Sequence, residues 1–210
     1  MWSTFKLVRI KRLSVAAPLL LLVSVSFADK CTYETWDWDS IQRKVTKSKA
    51  ELTKEELGNV KGCSVCDEDQ VEIHIEQLPP IKICRVFQER ITRVIKKTIL
   101  DGFPISSVVG YRVGKSKGKL NSAGLRTEFS SHSYGTAIDF NIERNGLYDF
   151  CLQFGPQCKL IRGGDYRPDV IGTITRTSSL YQAMTVKGFK WGGEIKGQQK
   201  DFMHFSLTGM

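Results

Sequence analysis

Six cysteines constrain this chain more than any other feature: Cys31, Cys63, Cys66, Cys84, Cys151 and Cys158. All of them follow residue 28, and the count is even. An even set in an exported protein argues for disulfides rather than free thiols. The export argument comes from the first 28 residues, "MWSTFKLVRIKRLSVAAPLLLLVSVSFA". They carry Lys6, Arg9, Lys11 and Arg12, no acid, and then an apolar stretch from Leu13 to Ala28. The stretch closes on Ser26-Phe27-Ala28, with small residues where a signal peptidase needs them, so residues 1–28 read as a signal peptide cleaved before Asp29. It is 16 residues long and interrupted by Pro18, short of the ~20 that a membrane span needs. No stable membrane anchor is therefore expected after cleavage.

Six cysteines allow 15 pairings. Cys151 and Cys158 flank "CLQFGPQC", whose Gly155-Pro156 makes a turn, so that pair is expected to be joined. "CSVC" could be half of a zinc ribbon, but no second such pair exists to complete one. Removing the four basic residues of the leader from 31 leaves 27 against 22 acids, a net charge of +5. That mild excess suits an anionic partner such as a cell wall. A length of 210 residues at 41% hydrophobic content suits one domain with extensions and a sizeable core.

Along the chain, Thr53 and Glu56 form a capping-box pattern that opens a short helix. "VEIHIEQ" (71–77) alternates as a strand with one wet face, on which His74 falls. From about Lys82 to Leu100 the apolar residues Ile83, Val86, Phe87, Ile91, Val94, Ile95 and Ile99 recur at helical steps, and Gly102 stops the helix. Residues 105–113 read as a strand, 114–129 as a long polar loop and 136–142 as a strand. "SSLYQAMTVKG" reads as a short helix, and "FKW" and "MHFSL" as closing strands. The pattern predicts an α+β fold, a small antiparallel sheet with helices packed on one side. "GKS" at 114–116 is no phosphate loop, because Val109 stands where the first glycine belongs. Neither nucleotide nor nucleic acid is an expected partner.

The chemistry concentrates in two segments. "SSHSYGTAIDF" (130–140) places His132 seven residues before Asp139. In a strand those two would point to opposite faces. They can share a site only if the chain turns between them, and Gly135 supplies the turn. "DFMHFSL" (201–207) adds His204, with Asp201 three residues earlier, expected at the turn just before the strand. Two imidazoles and one carboxylate form an ordinary protein ligand set for one catalytic Zn²⁺ per chain, with a fourth position left for water. The ion lowers that water's pKa from about 16 toward 7. A second carboxylate must then accept the proton and pass it to a leaving amine, and Asp201 is placed for that.

These two segments, together with "GFKWGGEIKGQQKDFMHFSL", resemble the D-alanyl-D-alanine carboxypeptidase and L-alanyl-D-glutamate endopeptidase family of peptidoglycan zinc metallopeptidases. The likeness covers roughly residues 80–210. Its first motif, Ser-x-His-x6-Asp, matches Ser130, His132 and Asp139; its second matches Asp201 and His204. The resemblance implies a hedgehog/DD-peptidase-like fold, zinc on His132, Asp139 and His204, and Asp201 as the catalytic base. It also implies a substrate-binding arginine after an aromatic, matched by Arg112 in "GYR", with Arg126 as its rival. Where many family members carry an aspartate and a tryptophan after "WGG", this chain has Glu194-Ile195, so Glu194 rivals Asp201 as the base. Trp191 and Tyr134 are candidate cleft walls. A weaker likeness of "CSVC…IEQLPPIKIC" to extensin-like relatives suggests a Cys66–Cys84 pair.

The reading is therefore a 1–28 signal peptide, a 29–62 N-terminal extension and a 63–210 zinc peptidase domain. The expected protein is a monomeric, bacterial, periplasmic or secreted hydrolase of peptidoglycan stem peptides. The alternative is a non-catalytic module of the same fold that keeps the metal and binds wall or protein.

Overall fold

The computed structural model describes residues 30–37 and 43–209. The stretch read as a leader lies outside the described residues. Among them no helix is long and apolar enough to cross a membrane.

The described residues begin with an antiparallel hairpin, β1 (Cys31–Asp37) and β2 (Arg43–Lys49). The short helix α1 (Lys54–Leu57) follows, capped by Thr53 and Glu56 as the sequence predicts. A second hairpin joins β3 (Gln70–Ile73) to β4 (Ile81–Cys84) and leads into α2 (Gln88–Leu100). After β5 (Val108–Val109) comes a third hairpin, β6 (Lys115–Leu120) and β7 (Arg126–Phe129). The rest comprises β8 (Ala137–Phe140), β9 (Leu147–Asp149), β10 (Lys159–Arg162) and α3 (Ser179–Val186), then β11 (Lys190–Trp191), β12 (Lys200–Asp201) and β13 (His204–Ser206).

The central sheet is antiparallel in the order β11-β13-β8-β5. Strand alternation gives it two different faces. Ile138 pairs with Phe205 and joins Phe140 in a core that includes Ile91, Val94 and Ile95 of α2 and Leu180 and Met184 of α3. Asp139 pairs with His204 on the opposite face. The fold is α+β with small antiparallel sheets, as read from the pattern. A separate three-stranded sheet, β10-β9-β12, brings Asp201 opposite Leu147.

Several boundaries differ from the sequence reading. Ile81–Cys84 is a strand and Arg85–Phe87 a single 3₁₀ turn, so the helix begins at Gln88. Ile83 and Phe87 are buried like the helical residues, and a short apolar run fits either period. The stretch 105–113 contracts to the two residues of β5. The predicted polar loop 114–129 is the β6–β7 hairpin, which is almost wholly exposed and so lacks the apolar alternation that marks a strand.

Cys151 is bonded to Cys158, as expected. The other pairs are Cys31–Cys66 and Cys63–Cys84, which replaces the Cys66–Cys84 pair suggested by the extensin-like resemblance. Cys31–Cys66 fastens the first hairpin to the rest of the chain. There Cys31, Tyr33, Val65, Cys66 and Val113 form a small buried cluster, and Thr35 bridges Val113. Glu56 is the polar centre of this junction. It accepts hydrogen bonds from Tyr33 Oη at 2.7 Å, Lys49 Nζ at 2.9 Å and Thr53 Oγ1 at 2.9 Å. Burial pushes its carboxyl upward, but these donors outweigh burial and hold it at about 2.

Candidate metal centre and cleft

A 3₁₀ turn, Ser131–Tyr134, carries His132, and Gly135 ends it in the left-handed conformation at φ 62°. A Cβ at Gly135 would lie 2.1 Å from Gln70 Oε1 and 2.3 Å from Cys84 N. Only glycine fits there, and it turns the chain so that His132 meets Asp139 on β8. His204 arrives by strand register, directly opposite Asp139. Asp201 ends β12 and the turn follows it, rather than containing it.

His132 Nε2 lies 2.9 Å from Asp139 Oδ1, His204 Nδ1 lies 2.8 Å from the same oxygen, and the two nitrogens are 3.2 Å apart. All three residues are buried. A tetrahedral ion at about 2.0–2.1 Å from N and O ligands sets its ligands roughly 3.3 Å apart. The three atoms stand close to that spacing.

Proton accounting makes the same point. His132 Nδ1 is 2.7 Å from the Gly110 carbonyl, which can only accept, so Nδ1 carries the proton. Burial lowers the His132 pKa and favours the neutral ring. Its Nε2 then aims a lone pair at a carboxylate. Burial also opposes ionisation of Asp139, yet its pKa stays well below the usual range, with His204 Nδ1 within donating distance of Oδ1. A lone pair facing a buried anion calls for a cation between them. The donor set therefore fits a divalent metal ion. The other cluster with ligand-type atoms, Cys31, Cys66 and Glu68, contains a closed disulfide.

The triad opens into a cleft of about 280 Å³, lined also by Arg112, Lys117, Ser130, Arg162 and Asp201. Asp201 Oδ1 is buried with no hydrogen-bond partner. Burial raises the Asp201 pKa to about 6; His204, Lys117 and Arg112 lower it while Asp139 raises it. A carboxyl poised there can both accept and return a proton near neutral pH. Arg112 Nη2 lies 3.4 Å from Asp139 Oδ2, and its Nε is buried without a partner. Ser130 Oγ is likewise buried and unpartnered.

Glu194 and Trp191 fall elsewhere. The Glu194 carboxylate accepts from Arg176 Nε at 2.7 Å and from Tyr181 Oη at 3.0 Å. Trp191 is core, its Nε1 donating to Phe202 O and its ring against Tyr181 and Phe202. Both line a separate groove of about 680 Å³ that contains none of the triad. Tyr134 is no cleft wall either; it donates to Glu55 O.

Residues 123–207 match the family model described as D-alanyl-D-alanine carboxypeptidase. The segment that carries the site is similar to that peptidase family. No solved structure matches the chain. Within the matched segment lie the triad, Asp201, Arg126 and Arg162. Arg112 and Lys117 precede it, so one wall of the cleft comes from outside the matched region. Sequence reasoning missed Lys117 and Arg162 as cleft residues. The alternating lysines at 115, 117 and 119 are the one signal that could have revealed the hairpin wall. Arg126 also lines the cleft, its Nη1 donating to Gly118 O at 2.7 Å.

Proposed function

We propose that this chain is an exported, zinc-dependent peptidase of hedgehog/DD-peptidase-like fold that hydrolyses peptide bonds in peptidoglycan stem peptides. One observation carries the reading: the buried His132, Asp139 and His204 converge at metal-ligand spacing beside an unpartnered buried acid, Asp201. In this reading His132 Nε2, Asp139 and His204 Nδ1 hold Zn²⁺. When bound, such an ion supplies Lewis acidity, which acidifies a water and polarises a carbonyl. Asp201 accepts the proton of the attacking water and delivers it to the leaving amine, which departs neutral. Arg112 orients the scissile carbonyl and its developing negative charge. Ser130 Oγ is available to hold the substrate backbone.

Asp201→Asn separates base from ligand. The variant should keep near-stoichiometric zinc while losing about 10²–10⁴-fold in turnover, the range of general acid–base catalysis. His132→Ala, Asp139→Ala and His204→Ala should lose zinc and activity together. Glu194→Gln should remain close to wild type. Metal analysis and stem-peptide hydrolysis decide the matter. Tight zinc binding by a wild type that cleaves no stem peptide would favour a binding module instead.

A further inference from the structure

Away from the cleft floor, the chain from 150 to 161 exposes side chains that a soluble surface has no reason to expose. Phe150, Leu152, Phe154, Leu160 and Ile161 are 61, 70, 40, 36 and 52% exposed. The Cys151–Cys158 disulfide and the β9–β10 pairing, Lys159 opposite Asp149, fold this stretch back on itself. Its middle is held against the body, because the Phe154 ring packs edge-on against Tyr148, Tyr166 and Phe202. Phe150 and Leu152, on either side of Cys151, stay exposed. Phe150 occupies the left-handed region at φ 52°, a conformation that costs a non-glycine residue energy. The side chain gains no burial in return, since the residue is 61% exposed.

Cations outnumber acids beside these residues. Lys159, Arg162 and Lys196 flank the apolar residues, and none of the three forms an ion pair among the described residues. Lys196 lines the same shallow groove as Leu152 and Phe154. The nearby acids are engaged, Asp149 by the Phe150 amide and Glu194 by Arg176 and Tyr181. Apolar clusters rimmed by polar residues mark interaction sites. A disulfide-closed loop with a leucine 70% exposed offers apolar area that suits a deformable apolar layer. The cationic collar suits the anionic headgroups above such a layer.

We propose that the disulfide-pinned loop 150–161 docks reversibly on an anionic lipid surface, with Phe150, Leu152 and Ile161 entering the interface and Lys159, Arg162 and Lys196 meeting the headgroups. Because Arg162 also lines the cleft, docking would hold the cleft beside the bilayer. The proposal does not depend on the peptidase reading.

The test is co-sedimentation of the mature chain with phosphatidylglycerol/phosphatidylcholine vesicles and with pure phosphatidylcholine vesicles. Binding is expected to the anionic vesicles, weakening as salt rises. Leu152→Ser should weaken it at least about tenfold. Phe150→Gly is the discriminating variant. Glycine relieves the left-handed backbone, so thermal stability should hold or rise while vesicle binding falls at least about tenfold. A wild type that stays in the supernatant with anionic vesicles overturns the proposal. So does a Phe150→Gly or Leu152→Ser protein that binds as tightly as wild type. So too does a wild type that dimerises through this loop in light scattering and ignores vesicles.

Discussion

At the residue scale, the site turns on which atoms carry protons. In the proposed reaction Asp201 acts as base only when ionised, and burial holds its pKa at about 6. The rate at low substrate should therefore rise with pH through an acid limb near 6. Lys117 and Arg112 favour the ionised form, so Lys117→Met removes one stabilising charge and should move the limb to higher pH. A kcat/KM profile of the two proteins checks this; an unmoved limb would mean that Asp201 is not the group being titrated. The residues of this site were legible early because they are rare types in close motifs. Two of the three histidines fall in the triad, and no core requirement explains a buried aspartate beside them. What the sequence could not supply was direction. Glu194 and Asp201 sit in one stretch of chain, yet only Asp201 lines the cleft, because Glu194 is drawn off by Arg176 and Tyr181.

At the level of elements, legibility followed burial. The α2 period was plain from Ile91 to Ile99, because a buried stripe repeats. Three hairpins, β1–β2, β6–β7 and β9–β10, lie outside the predicted strands. Neither β2 nor the β6–β7 pair presents a continuous apolar face, and their pairing is set by turns and cross-strand contacts that leave little hydrophobic pattern. The first hairpin is fastened instead through Glu56. The carboxyl of Glu56 is depressed to about 2 in the folded chain, against an ordinary value near 4.3. Unfolding therefore takes up a proton between those values, and stability rises with pH across that window. Glu56→Gln should lower stability at pH 6 by roughly 1.5–3 kcal/mol, the scale of hydrogen bonds to a charged group. As pH falls from about 4.3 toward 2 the difference between wild type and variant should shrink. Urea unfolding at pH 6 and pH 3 measures it, and an equal gap at both would assign the loss to packing instead.

For the whole molecule, three disulfides replace some of the cohesion that its small separate sheets cannot provide. In the chain-entropy account a crosslink gains with loop length, ~2.5 kcal/mol for the separation of 7 at Cys151–Cys158 and ~4 kcal/mol for the separation of 35 at Cys31–Cys66. Replacing Cys31 and Cys66 together with serine should therefore destabilise more than replacing Cys151 and Cys158. Zinc should stay bound in both variants, since neither bridge touches the triad; denaturant midpoints and metal content test the order. The wide spacing of the candidate metal ligands has a consequence for timing. His132 and His204 are separated by 72 residues, and they meet only when β13 docks on β8. Contacts between such distant positions form late in folding. In the proposed reading a chain still being made holds at most a partial ligand set, so it has no complete metal centre until β13 closes on β8.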